Sequence, residues 1–175
     1  MRTALVLGFG PFPGAPRNPS GDLARAVGRR RRPALAGARI VSAVLPTTYA
    51  AVANELPALL RKHDPDIVLF FGLATRTKFV RVESRAVNAA LRVYPDASRK
   101  QFGMRALIPG APAERKVRAP VQSLLTAVSS AGTAVYPSRD AGRYICNAAL
   151  FTALDVSHKM NRPPLVAFVH IPRPR

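Results

Sequence analysis

A chain of 175 residues with one cysteine, three histidines and no tryptophan has few of the devices that staple small proteins together. The lone Cys146 cannot close an internal disulfide, and the histidines show no zinc-ligand spacing. Neither a disulfide nor a zinc site is therefore expected, and the fold rests on packing. Acidic residues are also scarce, nine against 27 lysines and arginines, which leaves a net charge of +18. Long apolar runs are missing too: no stretch reaches the roughly 18 residues that cross a bilayer. The opening Met1-Arg2-Thr3-Ala4-Leu5-Val6-Leu7 meets Gly8-Phe9-Gly10-Pro11 too early for a secretory signal. The expectation is a soluble, cytoplasmic protein with no membrane partner.

What is present suits one domain spanning 1–175, since 48% hydrophobic content supplies a core for a chain of this length. The charge raises nucleic acid as a partner. The basic residues are scattered, however, apart from Arg29 to Arg32, and 22 of the 27 are arginine. That cluster precedes Pro33 and reads as a solvated helix end. Net charge speaks to salt-dependent, non-specific attraction rather than to a site. No specific nucleic-acid partner is expected, and a basic polyanion-binding protein stands as the alternative reading.

Along the chain, Thr3 to Phe9 is an apolar run of strand length that breaks into a Gly/Pro-rich loop, and Asn18-Pro19-Ser20 then starts a helix with Leu23, Ala26 and Val27 on one stripe. Arg39 to Leu45 reads as a strand. Thr47 or Thr48 caps a helix whose Val52, Leu56, Leu59 and Leu60 share a face and which His63 closes. Asp66 to Gly72 holds a continuous apolar run bounded by turn residues, as in a central strand covered on both faces. The section from Phe79 to Pro120 reads as an irregular excursion. Val121 to Val128 is helical, Thr133 to Tyr136 a short strand, Gly142 to Ser157 a helix and Pro164 to Ile171 a final strand. Alternating strands and helices predict an α/β fold, a three-layer αβα domain around a mostly parallel, twisted central sheet.

Three residues suggest a thiol site. Cys146 lies near a helix start, where backbone N-H groups and the positive dipole end favour thiolate over thiol. His170 follows 24 residues later near the end of the last strand and is a candidate base for it. Glu83, a lone carboxylate in Val80-Arg81-Val82-Glu83-Ser84, is a candidate to orient the imidazole. Each also has an ordinary structural reading: a buried thiol as a small hydrophobe, a strand-end histidine bonded to backbone, a glutamate paired with arginines. Spacing does not choose between them. His63 and His158 sit at helix ends beside lysines and receive no catalytic role.

The flanking residues say more. Gly8-Phe9-Gly10-Pro11-Phe12 with Asn18-Pro19-Ser20, Leu45-Pro46-Thr47, Gly72-Leu73-Ala74, Glu83-Ser84-Arg85-Ala86-Val87-Asn88, Ala141-Gly142-Arg143-Tyr144-Ile145-Cys146-Asn147 and Phe168-Val169-His170-Ile171-Pro172 occur in this order. With them the chain resembles the pyroglutamyl peptidase I family, also called pyrrolidone-carboxylate peptidases, from about Leu5 to Pro172. The resemblance implies a cysteine exopeptidase that needs no cofactor and removes an amino-terminal pyroglutamyl residue from peptides through a thioester acyl-enzyme. Cys146 would be nucleophile, His170 general base and acid, and Glu83 the orienting carboxylate. Phe9 and Phe12 match aromatic residues flanking the lactam ring, Thr47 falls in a matching substrate-site motif, and the backbone of Leu73 and Ile145 would bind the lactam amide. Arg92, shifted by one residue from the family's pattern, is a candidate second oxyanion donor.

The chain departs from that pattern in places. Thr75-Arg76-Thr77 follows Gly72-Leu73-Ala74 where the family commonly has Gly-Gly-Arg, and three residues follow Pro172 where the family continues into a closing helix. A domain without that helix is expected, and by resemblance a homo-oligomer, a tetramer. A catalytically inactive or narrowed homologue is the alternative among enzymes.

Overall fold

A computed structural model describes residues 1–30 and 36–174. Arg31 and Arg32 of the basic cluster, and the Pro33 that follows it, lie outside the described residues. Strand β1 (Arg2–Phe9) leads through the Gly/Pro-rich loop to helix α1 (Pro19–Arg29), followed by β2 (Ala38–Leu45), α2 (Tyr49–His63) and β3 (Ile67–Leu73). Then come β4 (Val80–Glu83), β5 (Arg85–Val87), β6 (Glu114–Lys116), α3 (Val121–Ser130), β7 (Val135–Ser138), α4 (Ile145–His158) and β8 (Leu165–Ile171). The sequence signals act locally as physics requires. Asn18 accepts a hydrogen bond from Ser20 N at the start of α1 beside Pro19, and Thr48 accepts from Ala51 N at the start of α2. Asp64, with φ of 38°, turns the chain out of α2.

The main sheet has six strands in the order β2-β1-β3-β8-β4-β7. The pairs β1/β2, β1/β3, β3/β8 and β4/β7 are parallel, and β4/β8 is antiparallel. The sheet is thus mostly parallel, as expected, with β4 and β7 reversed against the rest. Alternation along each strand divides the side chains between two helical layers. Leu5, Leu7, Phe9, Val68, Phe70, Val166 and Phe168 face α2 and α4, whose Val52, Leu56, Leu60, Ala149 and Leu150 complete one core. Phe70 and Phe168 stack with centroids 5.5 Å apart at its centre. On the other face α1 packs against β1 and β2, close enough that a Cβ on Gly8 would sit 2.2 Å from the backbone oxygen of Ser20. A smaller cluster there joins Val80, Val82 and Val169 to Leu124, Leu125 and Val128 of α3. Leu69 and Phe71 of β3 are only partly buried on that face, so β3 lies inside the sheet without the full two-sided cover that its apolar run predicts.

Three expectations change. The supposedly irregular middle section contributes β4 to the main sheet, and β5 and β6 pair antiparallel as a two-stranded sheet against α4. These strands have three or four residues, too few for periodicity to reveal them. Helix α4 begins at Ile145 rather than Gly142, because Gly142 has φ of 78° and its N-H bonds to Asp140 Oδ1. Strand β7 starts at Val135.

Asp155 fastens the small sheet to α4. Its Oδ1 accepts from Arg115 Nε at 3.0 Å and Nη2 at 2.6 Å, while Lys159 Nζ reaches Oδ2 at 2.6 Å. Burial alone would raise this carboxyl, but those hydrogen bonds and charges hold it below its usual range. Asp155→Ala strands the largely buried Arg115 guanidinium, and a loss of about 3 kcal/mol is expected. Urea unfolding checks it: the midpoint falls while the slope is unchanged.

Candidate active site

The antiparallel pairing of β4 with β8 sets the chemistry. Arg81 lies opposite His170, Val82 opposite Val169 and Glu83 opposite Phe168. Glu83 is therefore a diagonal neighbour of His170 on the same face of the sheet, the face covered by α4. Because β4 runs backward relative to β8, the end of β4 points into the sheet and Glu83 lies one step deeper than the histidine. Glu83 is 0% exposed and His170 3%. His170 Nδ1 and Glu83 Oε1 are 2.7 Å apart. A carboxylate only accepts, so Nδ1-H donates and Nε2 is left for the thiol. Cys146, the second residue of α4, sits partly buried at the positive end of the helix dipole. Burial pushes the His170 imidazole down, but the charge of Cys146 and its hydrogen bond, together with those of Glu83, outweigh this and hold it at about 9. The three residues singled out from the sequence thus meet in one place.

The neighbours explain how they are held. Asn147, directly after Cys146, accepts from Val87 N and donates to the carbonyls of Val87 and Ala89, tying the start of α4 to β5. A Cβ on Gly72 of β3 would meet the Phe168 ring at 2.6 Å and Cys146 Sγ at 3.0 Å, so only glycine lets the thiol approach the sheet here. Arg81 Nε stands 3.7 Å from Glu83 Oε1 in an ion pair too long for a hydrogen bond. Neither Arg81 Nε nor Glu83 Oε2 has a hydrogen-bond partner, although both are buried.

Cys146 and His170 open onto a cleft of about 780 Å³ at the carboxyl ends of β1, β3 and β8. Phe9, Phe12, Thr47 and Leu73 line it, as does Tyr144, whose ring lies 6.1 Å from that of Phe12. Thr47 Oγ1 donates to the Gly10 carbonyl at 2.7 Å and so fixes the loop that carries Phe12. The Ile145 side chain is buried in the core, which leaves only its backbone for the site. Arg92 is a correction: it is exposed and does not line the cleft. Its neighbour Leu91 does so instead, held by a hydrogen bond from its N-H to the Arg143 carbonyl. Thr75-Arg76-Thr77 forms its turn without any positive φ, and Thr77 Oγ1 reaches the Phe79 carbonyl, so the absent glycines are not required. His63 and His158 stay outside the cleft. Among the described residues no group of three or more His, Cys, Asp or Glu side chains is placed to hold a metal ion, and no helix is long and apolar enough to cross a membrane.

Sequence reasoning passed over two residues that shape this cleft. Asp96, 2% exposed, receives Tyr49 N at the start of α2 and Ser98 N, Ser98 Oγ and Lys100 N from its own loop. It pins the segment bearing Tyr94 and Pro95 as one wall. The Asp-x-Ser spacing is the signal that would have marked such a turn. Tyr144 donates its hydroxyl to the Pro95 carbonyl at 2.8 Å and braces the same wall. Burial, then the charges of Asp96 and Cys146, push its pKa up to about 12, so it remains a neutral donor.

The family model for pyroglutamyl peptidase matches residues 2–174. This chain belongs to the pyroglutamyl peptidase family. It is 33% identical over 168 residues to the pyrrolidone-carboxylate peptidase of Thermococcus kodakarensis, covering 96% of this chain and 80% of that one. It is 30% identical over 173 residues to pyrrolidone-carboxylate peptidase 1 of Ralstonia nicotianae, covering 98% and 79%. The solved structure of a mutant pyrrolidone carboxyl peptidase (E192V) from Pyrococcus furiosus superposes with a TM-score of 0.90 at 28% identity, covering 97% of this chain and 80% of that one. Pyroglutamyl peptidase I of Bacillus amyloliquefaciens gives a TM-score of 0.88 at 28% identity, covering 98% and 82%. These family structures share the sheet and helical layers described above.

Hydrogen bonding holds the Asp96 carboxyl below its usual range against the opposing effect of burial. A depressed carboxyl stabilises the fold above its unfolded-state pKa, about 3.9, and that contribution is lost as pH falls through the folded value. Asp96→Asn is therefore expected to be less stable than the parent at pH 7, by about 2 kcal/mol. The gap should narrow in acid, as denaturant melts at pH 7 and pH 3 would show.

Proposed function

We propose that this chain is a cysteine peptidase that removes an amino-terminal pyroglutamyl residue from peptides. The observation that carries the reading is the buried Glu83 and His170 pair joined to the chain's one thiol at the foot of an aromatic-lined cleft. Membership of the pyroglutamyl peptidase family supports the substrate class. The flat, neutral lactam ring is held by the faces of Phe9 and Phe12, and its amide N-H and C=O take backbone groups of Leu73 and Ile145, which rejects rings lacking those groups.

In acylation, the Cys146 sulfur attacks the pyroglutamyl carbonyl carbon. Negative charge develops on the carbonyl oxygen, and the N-H of Cys146, at a helix start that no side chain caps, donates to it. His170, carrying the thiol proton on Nε2, passes it to the nitrogen of the next residue as the C-N bond breaks, and the shortened peptide leaves with a free amine. A thioester remains. His170 then takes a proton from water, the hydroxide adds to the thioester carbonyl, and collapse expels the sulfur, which regains its proton by way of His170. Glu83 keeps Nδ1 protonated and offsets the imidazolium charge in both halves of the cycle.

Release of a coumarin from a pyroglutamyl amide, with the prolyl amide as control, tests this directly. The parent turns over the first and spares the second, while Cys146→Ala lowers kcat/KM by about 10³-fold or more. Well-folded parent protein with no turnover would instead select the inactive homologue. The imidazolium is the acid for the leaving amine, and its raised pKa keeps it charged until about 9. Activity should therefore decline as pH rises through that value. Glu83→Gln removes a group that raises it, so the decline moves to lower pH.

A further inference from the structure

With the lactam ring against the aromatic wall, as proposed above, the rest of the peptide leaves past His170, since the general acid must face the departing nitrogen. The cleft residues beside His170 therefore face the first residues of the leaving peptide. Arg81 is one of them: its Cα pairs with that of His170 across β4 and β8, and its side chain lines the cleft while 27% exposed. Arg76, in the turn between β3 and β4, is exposed and lines the same cleft. Apart from His170, these two are the charged side chains of the cleft lining among the described residues, and no carboxylate joins them. The nearest acid, Glu83, is fully buried, and its Oε1 is taken by His170. The Nε of Arg81 is buried beside Glu83, 3.7 Å from its Oε1, so the exposed part of the side chain is what meets the cleft. A guanidinium exposed at a substrate wall that carries no carboxylate favours an anionic group on the substrate.

We propose that Arg76 and Arg81 form a cationic subsite that selects peptides with aspartate or glutamate immediately after the pyroglutamyl residue. The overall charge of +18 draws any anionic peptide toward the protein, but that long-range field does not read position along the peptide. The subsite does. An arginine pair at a partly solvated wall corresponds to a preference on the order of tenfold for glutamate over lysine at low salt, shrinking as salt screens it.

The test compares amidated peptides in pairs. pGlu-Glu-Ala-Ala and pGlu-Ala-Ala-Glu have the same composition and charge, so kcat/KM several-fold higher for the first reports the subsite. pGlu-Lys-Ala-Ala and pGlu-Ala-Ala-Ala complete the series. Arg76→Glu and Arg81→Gln should each lower the ratio of the glutamate to the lysine peptide, and because each ratio is taken within one variant, a loss of folded protein cancels. Equal rates for the two isomers, or ratios unchanged in both variants, would overturn the subsite while leaving the peptidase reading intact. No turnover of pGlu-Ala-Ala-Ala by the parent would overturn the peptidase reading and the subsite with it.

Discussion

The hydrogen bond between Glu83 and His170 depends on one topological choice, the antiparallel entry of β4 beside β8. Had β4 run parallel, its carboxyl end would have risen to the mouth of the cleft with its last side chain in solvent. Reversed, it carries Glu83 under the imidazole and removes it from water entirely. A carboxylate buried this way costs several kcal/mol unless its charge is met. Two groups meet it from the surrounding strands, His170 across the pair and Arg81 two residues earlier on the same face of β4. When His170 is neutral, Arg81 remains beside the carboxylate, 3.7 Å from Oε1.

Cys146 reaches this pair by a different route. Helix α4 is buried along almost its whole length, packed between the sheet and α2. Its register is fixed at both ends: Asn147 bonds to the 87–89 backbone at one, and Asp155 grips Arg115 of β6 at the other. Gly72 supplies the last necessity, since a Cβ there would collide with the Phe168 ring and crowd Cys146 Sγ. Proximity is thus built into packed secondary structure rather than into a loop, which is the condition for holding reacting atoms in line.

Much of this was legible in the amino-acid order, because the relevant signals are local. Asn18 and Thr48 mark helix starts, the apolar runs mark β1, β3 and β8, and Cys146 and His170 stand at the ends of recognisable elements. What stayed hidden depends on distant contact. The four residues of β4 carry too little pattern to show a strand, and nothing in them shows which way it runs. The consequence reached the site: with β4 unseen, Arg81 could not be placed beside Glu83 by the two-residue period of a strand. Gly142 misled in the opposite sense, since its positive φ delays a helix that composition alone would start three residues earlier.

The three residues of the proposed triad do not rest on equal foundations. Cys146 and His170 are carried by α4 and β8, inside the larger core with its stacked phenylalanines. Glu83 is carried by β4, whose other neighbours are β7 at the sheet edge and α3, a helix with no fully buried residue. Segments with few buried contacts open at lower free energy than the core they adjoin. The carboxylate bonded to the imidazole is therefore anchored through the weaker layer of the domain, while the thiol and the imidazole belong to the stronger one. Loosening that begins at α3 reaches the site first as a loss of the Glu83–His170 hydrogen bond, with Cys146 still in place.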